Sequence, residues 1–144
     1  MAVPEGDHAR LLGVWRLVSA QVRNEDTGEV RDLHGPDPRG FAVFSPEGRA
    51  SFIVTASNRA SPIDDAEVGA LLRGMSAYTG RFRIEGDRVV TQVDVAWHPA
   101  WEDTAQTRFY ELEGDRLTLR TGPQDHPSYP GMRLRGIIVW VRDR

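Results

Sequence analysis

Glu85-Gly86-Asp87-Arg88 and Glu113-Gly114-Asp115-Arg116 are the same tetrapeptide. Each copy stands between two runs of alternating residues. Phe82-Arg83-Ile84 precedes the first copy and Val89-Val90-Thr91-Gln92-Val93 follows it. Phe109-Tyr110-Glu111-Leu112 precedes the second and Leu117-Thr118-Leu119 follows it. A Gly-Asp pair supplies the positive backbone angles that a two-residue hairpin turn requires. Four consecutive antiparallel strands are therefore expected within Tyr78–Thr121.

Working outward from each turn assigns the faces. The first turn sets Ile84 opposite Val89, Phe82 opposite Thr91 and Tyr78 opposite Val95. One face then carries Tyr78, Gly80, Phe82, Ile84, Val89, Thr91, Val93, Val95 and Trp97. The other carries Arg81, Arg83, Gln92 and Asp94. The second turn sets Leu112 opposite Leu117 and Tyr110 opposite Leu119, with Gln106 and Arg108 on the same face. The loop around Pro99 and Trp101 leaves the parity between the hairpins open. If Val95 opposes Arg108 the two apolar faces coincide; if Asp94 does, they face opposite ways. Burial of one continuous apolar face favours the first pairing.

That choice turns Gln106, Arg108 and Tyr110 inward, beside Trp97, Tyr78 and Thr91. An isolated guanidinium is costly to bury, so Arg108 needs a carboxylate, water or an anionic ligand. It is either half of a structural ion pair or part of a pocket wall that meets an acidic or carbonyl-bearing molecule.

The rest of the chain reads as short elements. Asp7 caps a helical turn through Leu12, closed by Gly13. Val14–Val22 is a strand with Trp15, Leu17, Ser19 and Gln21 on one face. Leu33–Gly40 is an irregular loop, and Phe41–Ser45 with Ala50–Ala56 forms a hairpin. Asp64–Met75 is the one convincing helix, with Val68, Leu71, Leu72 and Met75 at helical spacing. Gly122–Gly131 is a loop, and Ile137–Arg142 is the last strand. Many short hairpin-linked strands make a mainly β chain, a closed barrel or a sandwich.

Composition bounds the chemistry. The 144 residues suit one domain, and the net charge is −3 with scattered basic residues, so nothing points to nucleic acid. All 18 basic residues are arginine, usage that fits a GC-rich bacterial genome. With no cysteine and no lysine there is no thiolate nucleophile, no disulfide and no lysine Schiff base. Met1–Gly13 has no apolar run and Ile137–Val141 is too short to span a membrane, which points to a cytoplasmic protein. His8, His34, His98 and His126 lack metal-ligand spacing and read as solvated loop residues. Of these, His98 at the end of Val95-Ala96-Trp97-His98 is the candidate acid/base group at a barrel rim. Asp94, Glu102 and Asp103 read as solvated charges, and no phosphate loop or nucleophile elbow is present.

Several stretches together carry a resemblance. Leu12-Gly13-Val14-Trp15-Arg16-Leu17-Val18-Ser19 resembles the first strand of the bacterial and fungal lipocalin-like domain family. Tyr78-Thr79-Gly80-Arg81-Phe82, Pro99-Ala100-Trp101, Thr104-Ala105-Gln106-Thr107-Arg108 and Val139-Trp140-Val141-Arg142 are similar to it too, and Asn58-Arg59 fits one of its loops. The resemblance implies a single antiparallel up-and-down β-barrel of about eight strands around a ligand cavity, with one short helix between strands three and four. It also implies that Gly13, Trp15 and Arg142 close the barrel through a cation–π contact. Thr91 stands where the family pattern often carries a histidine, which removes any role resting on that histidine.

The reading is a barrel that binds a small hydrophobic or amphipathic molecule with a polar or acidic end, linked by the resemblance to secondary metabolism. Its candidate site comprises Tyr78, Phe82, Thr91, Val93, Val95, Trp97, Gln106, Arg108 and Tyr110, with Arg59 at the mouth. No cofactor or metal is called for, and a homodimer is compatible with the sequence. One alternative is a cofactor-free cyclase or isomerase acting on a polyketide-like or terpenoid-like substrate. There Arg108 or Tyr110 would donate to a developing oxyanion and His98 would move a proton. The other is an accessory protein with a filled barrel.

Overall fold

Both repeated tetrapeptides are hairpin turns in a computed structural model that describes residues 6–144, with Glu85 paired to Arg88 and Glu113 to Arg116. The first five residues, part of the stretch read for a secretory signal, lie outside the described residues. Gly86 has φ 62° and Gly114 φ 56°, whereas the aspartate after each keeps a negative φ. Only the glycine supplies the positive angle, which is the sign pattern of a type II′ turn.

The strands are β1 (Gly13–Asn24), β2 (Val30–Asp32), β3 (Arg39–Phe44), β4 (Arg49–Thr55), β5 (Met75–Glu85), β6 (Arg88–Ala96), β7 (Ala105–Glu113), β8 (Arg116–Arg120), β9 (Gln124–Asp125) and β10 (Arg133–Arg142). Each of β1, β3 to β8 and β10 pairs antiparallel with the next, and β10 pairs back onto β1. The result is a closed eight-stranded barrel, so no long edge is left open. β2 and β9 are short additions against β1 and β10. The sequence shows neither, since two or three residues carry no alternation.

Helix α2 (Asp65–Arg73) lies between the third and fourth barrel strands. Asp64 caps it, its Oδ1 accepting the Glu67 N–H at 2.9 Å. The helix stops before Met75, which opens β5, and none of its residues is buried. Helix α1 (Asp7–Leu11) is capped by Gly6, not by Asp7. Asp7 instead turns inward, because its carboxylate is taken by Arg10 and Tyr110.

The faces follow the turns until a bulge intervenes. In β1 the register shifts between Leu17 and Ser19. Inward residues are Trp15 and Leu17, then Ala20 and Val22, so Ser19 and Gln21 leave the expected face. Between β5 and β6 the register shifts, Thr79 pairing with Val95 but Gly80 with Val93, so Asp94 is an extra residue in β6. Tyr78 therefore pairs with Ala96 instead of Val95, and Val95 points outward, 62% exposed. One extra residue in a strand reverses every face beyond it. Gly80 belongs to this bulge because a Cβ there would collide with the Gln92 carbonyl oxygen.

β6 and β7 pair Val89 with Arg108 and Thr91 with Gln106, not Val95 with Arg108. A 3-10 turn at Pro99–Trp101 lengthens the connection and moves the pairing by an even number of residues. Parity survives. Val89, Thr91, Gln106, Arg108, Leu117 and Leu119 are all buried on one continuous inner face.

One end of the barrel is plugged by α1. The Arg142 guanidinium lies 4.0 Å from the Trp15 ring centroid and donates to the Leu12 and Arg10 carbonyls, each at 2.6 Å. The Trp15 indole N–H donates to the Leu11 carbonyl at 2.8 Å. This is the closure implied for Gly13, Trp15 and Arg142.

Candidate functional site

At the end opposite α1 the inner face parts to leave a cavity. The space open to the centre of a water-sized sphere is about 60 Å³, several times the roughly 10–15 Å³ that one water needs. Phe52, Tyr78, Trp101 and Trp140 supply aromatic wall, and Val22, Val54, Leu119 and Leu134 aliphatic wall. Phe52 stacks on Tyr78 at 4.8 Å, and Trp101 meets Tyr78 edge-on at 5.2 Å. The polar groups in this wall are Ser76, Tyr78, Arg108, Thr121, Gln124 and His126.

Arg108 is the only formal charge among them. It is 6% exposed. Its donors reach the Thr107 carbonyl at 3.0 Å, Gln106 Oε1 at 3.3 Å and Gln124 Oε1 at 3.4 Å. Its guanidinium also lies 5.8 Å from the Trp101 ring centroid. Among the described residues no carboxylate forms an ion pair with it. The structural ion pair that the sequence left open is thus not present in the described barrel.

A chain of hydrogen bonds orients this arginine. Thr104 Oγ1 donates to the Trp101 carbonyl at 2.6 Å and accepts from Gln106 Nε2 at 3.0 Å. That leaves the Gln106 carbonyl oxygen for Arg108. Thr104, Gln106 and Arg108 share the inner face of the β7 segment because they are two residues apart. Beside them, burial pushes the Tyr78 hydroxyl above its ordinary pKa and the Arg108 charge pulls it back.

From the cavity wall a second chain runs inward, His126–Ser76–His34. Ser76 Oγ lies 3.1 Å from His126 Nε2 and 2.9 Å from His34 Nε2. The network assigns the protons. His126 Nδ1 accepts the Ser128 N–H at 3.0 Å, so neutral His126 carries its proton on Nε2 and donates to Ser76. The Ser76 hydroxyl proton, whose one remaining acceptor in reach among the described residues is His34 Nε2, is then donated there, which places the His34 proton on Nδ1. That nitrogen is buried without a partner. Burial lowers the His34 pKa to about 4. Burial first, then the neighbouring His34, Arg108 and His98, lowers that of His126 to about 3. Two histidines read as solvated loop residues are therefore buried and neutral, a correction to the sequence reading. Their loops fold inward over the barrel end, and no local pattern signals that.

The predicted residues divide between the two ends. Tyr78 and Arg108 line the cavity, and Gln106 sits behind Arg108. Trp97 packs edge-on against Trp101 at 5.1 Å and against His126 at 5.7 Å. Phe82, Thr91 and Val93 are buried in the core but do not line the cavity, and Phe82 stacks on His8 at 5.1 Å. Tyr110 lies at the plugged end, its hydroxyl donating to Asp7 Oδ2 at 2.6 Å. Burial and that bond push its pKa up to about 12. Val95 is outside the barrel and Arg59 is exposed in the loop after β4. His98 Nδ1 accepts the Ala100 N–H at 3.1 Å and caps the 3-10 turn. Phe52, Ser76, Trp101, Thr121, Gln124, His126 and Trp140 are among the cavity residues that sequence reasoning did not place there. Trp101 and Trp140 stood inside the quoted family stretches, which was the one signal available for them.

Residues 12–142 match the model of the lipocalin-like domain. Over 85 residues the chain is 31% identical to the 4'-hydroxy-3'-methoxypropiophenone carrier protein of Aspergillus oryzae, an alignment spanning 53% of this chain and 74% of that protein. Among solved structures, a lipocalin-like protein from Bacteroides uniformis superposes with TM-score 0.48 at 14% identity, over 92% of this chain and 98% of that one. A protein of Bacteroides eggerthii gives TM-score 0.43 at 15% identity, over 92% and 99%.

Proposed function

The chain belongs to the lipocalin-like domain family, and from that premise we propose that its barrel binds a small, largely apolar molecule with one polar or acidic end. The observation that carries this reading is Arg108. A guanidinium buried among aromatic and aliphatic walls with no carboxylate partner costs several kcal/mol in desolvation. A filled structural core has no use for such a group, whereas a ligand oxygen does. Apolar walls supply affinity, and Arg108, Gln124 and Tyr78 orient the oxygen-bearing end. The similarity to a carrier of an oxygenated aryl ketone supports an aromatic ligand, which Phe52, Tyr78, Trp101 and Trp140 suit. We place this binding in the cytoplasm and in secondary metabolism.

A second reading has one observation in its favour. Tyr78 and Arg108 present two donors from the same cavity, an arrangement that can stabilise an oxyanion during cyclisation or isomerisation. In that case Tyr78 takes the part first assigned to Tyr110. Native mass spectrometry of the protein purified from its own host tests the binding reading. A noncovalent mass that is lost on denaturation is expected, and a bare chain in every preparation argues against it. Deleting the gene separates the second reading, which requires an uncyclised precursor to accumulate.

A further inference from the structure

We infer that the molecule held in this cavity is bound as a monoanion, the conjugate base of an arene or alkyl carboxylic acid or of an acidic phenol or enol, with its charge on Arg108. This rests on the binding reading and narrows it.

Around the cavity, donors outnumber acceptors. The buried side-chain polar atoms without a partner, among the described residues, are His34 Nδ1, Trp97 Nε1 and Trp140 Nε1. The proton assignment above makes His34 Nδ1 an N–H, so all three are donors. Trp140 is 1% exposed and lines the cavity; His34 and Trp97 pack directly around its His126 wall. The other groups facing the cavity lean the same way. Gln124 spends its carbonyl oxygen on Arg108, which leaves its amide N–H groups free. Thr121 Oγ1 already accepts the Gly136 N–H at 2.8 Å, which leaves its hydroxyl proton free. Among the described residues no carboxylate lines the space, and His126 is neutral by its hydrogen bonds.

A neutral alcohol or amine would bring a further donor to this donor-rich wall and leave the guanidinium uncompensated. A neutral ketone would satisfy one donor without cancelling the charge. An oxyanion does both, since charge-assisted bonds to a guanidinium are about twice as strong as neutral ones. By linkage, a site that prefers the anion lowers the pKa of the acid it binds. An opposite charge at contact distance shifts a carboxyl or phenol by about 1–3 units.

The probe is 4-nitrophenol, whose phenolate and phenol absorb at different wavelengths, with 4-nitroanisole as the unionisable counterpart. Absorbance titration across pH, with and without saturating protein, should show the bound probe ionising at least about one unit lower than the free probe. 4-Nitroanisole should bind at least tenfold more weakly than the phenolate. Arg108→Met and Arg108→Gln, each checked for folding by circular dichroism, should abolish the shift. An unchanged or raised pKa on binding overturns the inference, as does equal affinity for 4-nitroanisole; small-molecule binding itself then stands. A shift that persists in either folded variant removes Arg108 from the account. Binding of neither probe also overturns it, and copurification from the host then decides separately whether the barrel carries any ligand.

Discussion

The two ends of this barrel treat their buried polar groups differently. At the plugged end each has a partner. Arg142 has two carbonyls and the Trp15 ring, Tyr110 has Asp7, and the Trp15 indole has Leu11. At the cavity end, among the described residues, Arg108 has no carboxylate and three ring N–H groups have no partner. A buried donor left unmade costs about 1–3 kcal/mol. The contrast teaches where stability is concentrated and where bonding capacity is held in reserve. One arginine is part of the fold's closure; the other, under the function we propose, is kept for a ligand.

The largest effect should come from the plug. Trp15→Ala removes a fully buried indole and the platform under Arg142, so a loss of about 3–5 kcal/mol in urea denaturation is expected. A loss below 1 kcal/mol would mean that the plug is not what holds this end. Acid should act on the other end. His34 and His126 are neutral in the fold with pKa about 4 and about 3, and both take up protons readily once unfolded. Their contribution is intact above pH about 6.5 and is lost as pH falls through that value toward 4 and 3. His34 alone accounts for on the order of 3 kcal/mol. Thermal melts between pH 7 and pH 4 measure this, and a flat profile would place the two imidazoles in water.

Smaller changes sharpen the contrast. Tyr110→Phe deletes the bond to Asp7 at the plugged end and should cost about 1–2 kcal/mol without altering the affinity of a cavity ligand. A drop in ligand affinity would put Tyr110 back in the site. Val95→Thr should change stability by less than about 0.5 kcal/mol, because the β6 bulge turns Val95 to solvent. A penalty of 2 kcal/mol or more, on the order expected for a buried methyl swapped for a hydroxyl, would restore the unbulged register.

The fold was legible because its signals are local. A Gly-Asp turn fixes its own hairpin, and parity carries outward one residue at a time. It carried correctly across the β6–β7 connection, since the true pairing differs from the expected one by an even offset. It failed at Val18 in β1 and Asp94 in β6, where a bulge inserts one residue without a compositional mark other than Gly80 on the facing strand. Arg108 was therefore found and Val95 misplaced by the same rule. The remaining cavity residues were harder. Ser76 follows a helix whose pattern runs past its true end, and Gln124 and His126 lie in a loop with no period. What brings them together is closure of the barrel, which depends on pairing between β1 and β10 across nearly the whole chain.

The central claim is that Arg108 serves a ligand and not the fold. Urea denaturation of ligand-free Arg108→Met against the parent tests it most directly. Replacing an unpaired buried charge by an apolar side chain of similar length should leave stability within about 1 kcal/mol or raise it. A loss of about 3–5 kcal/mol, the signature of breaking a buried pair, would contradict the account.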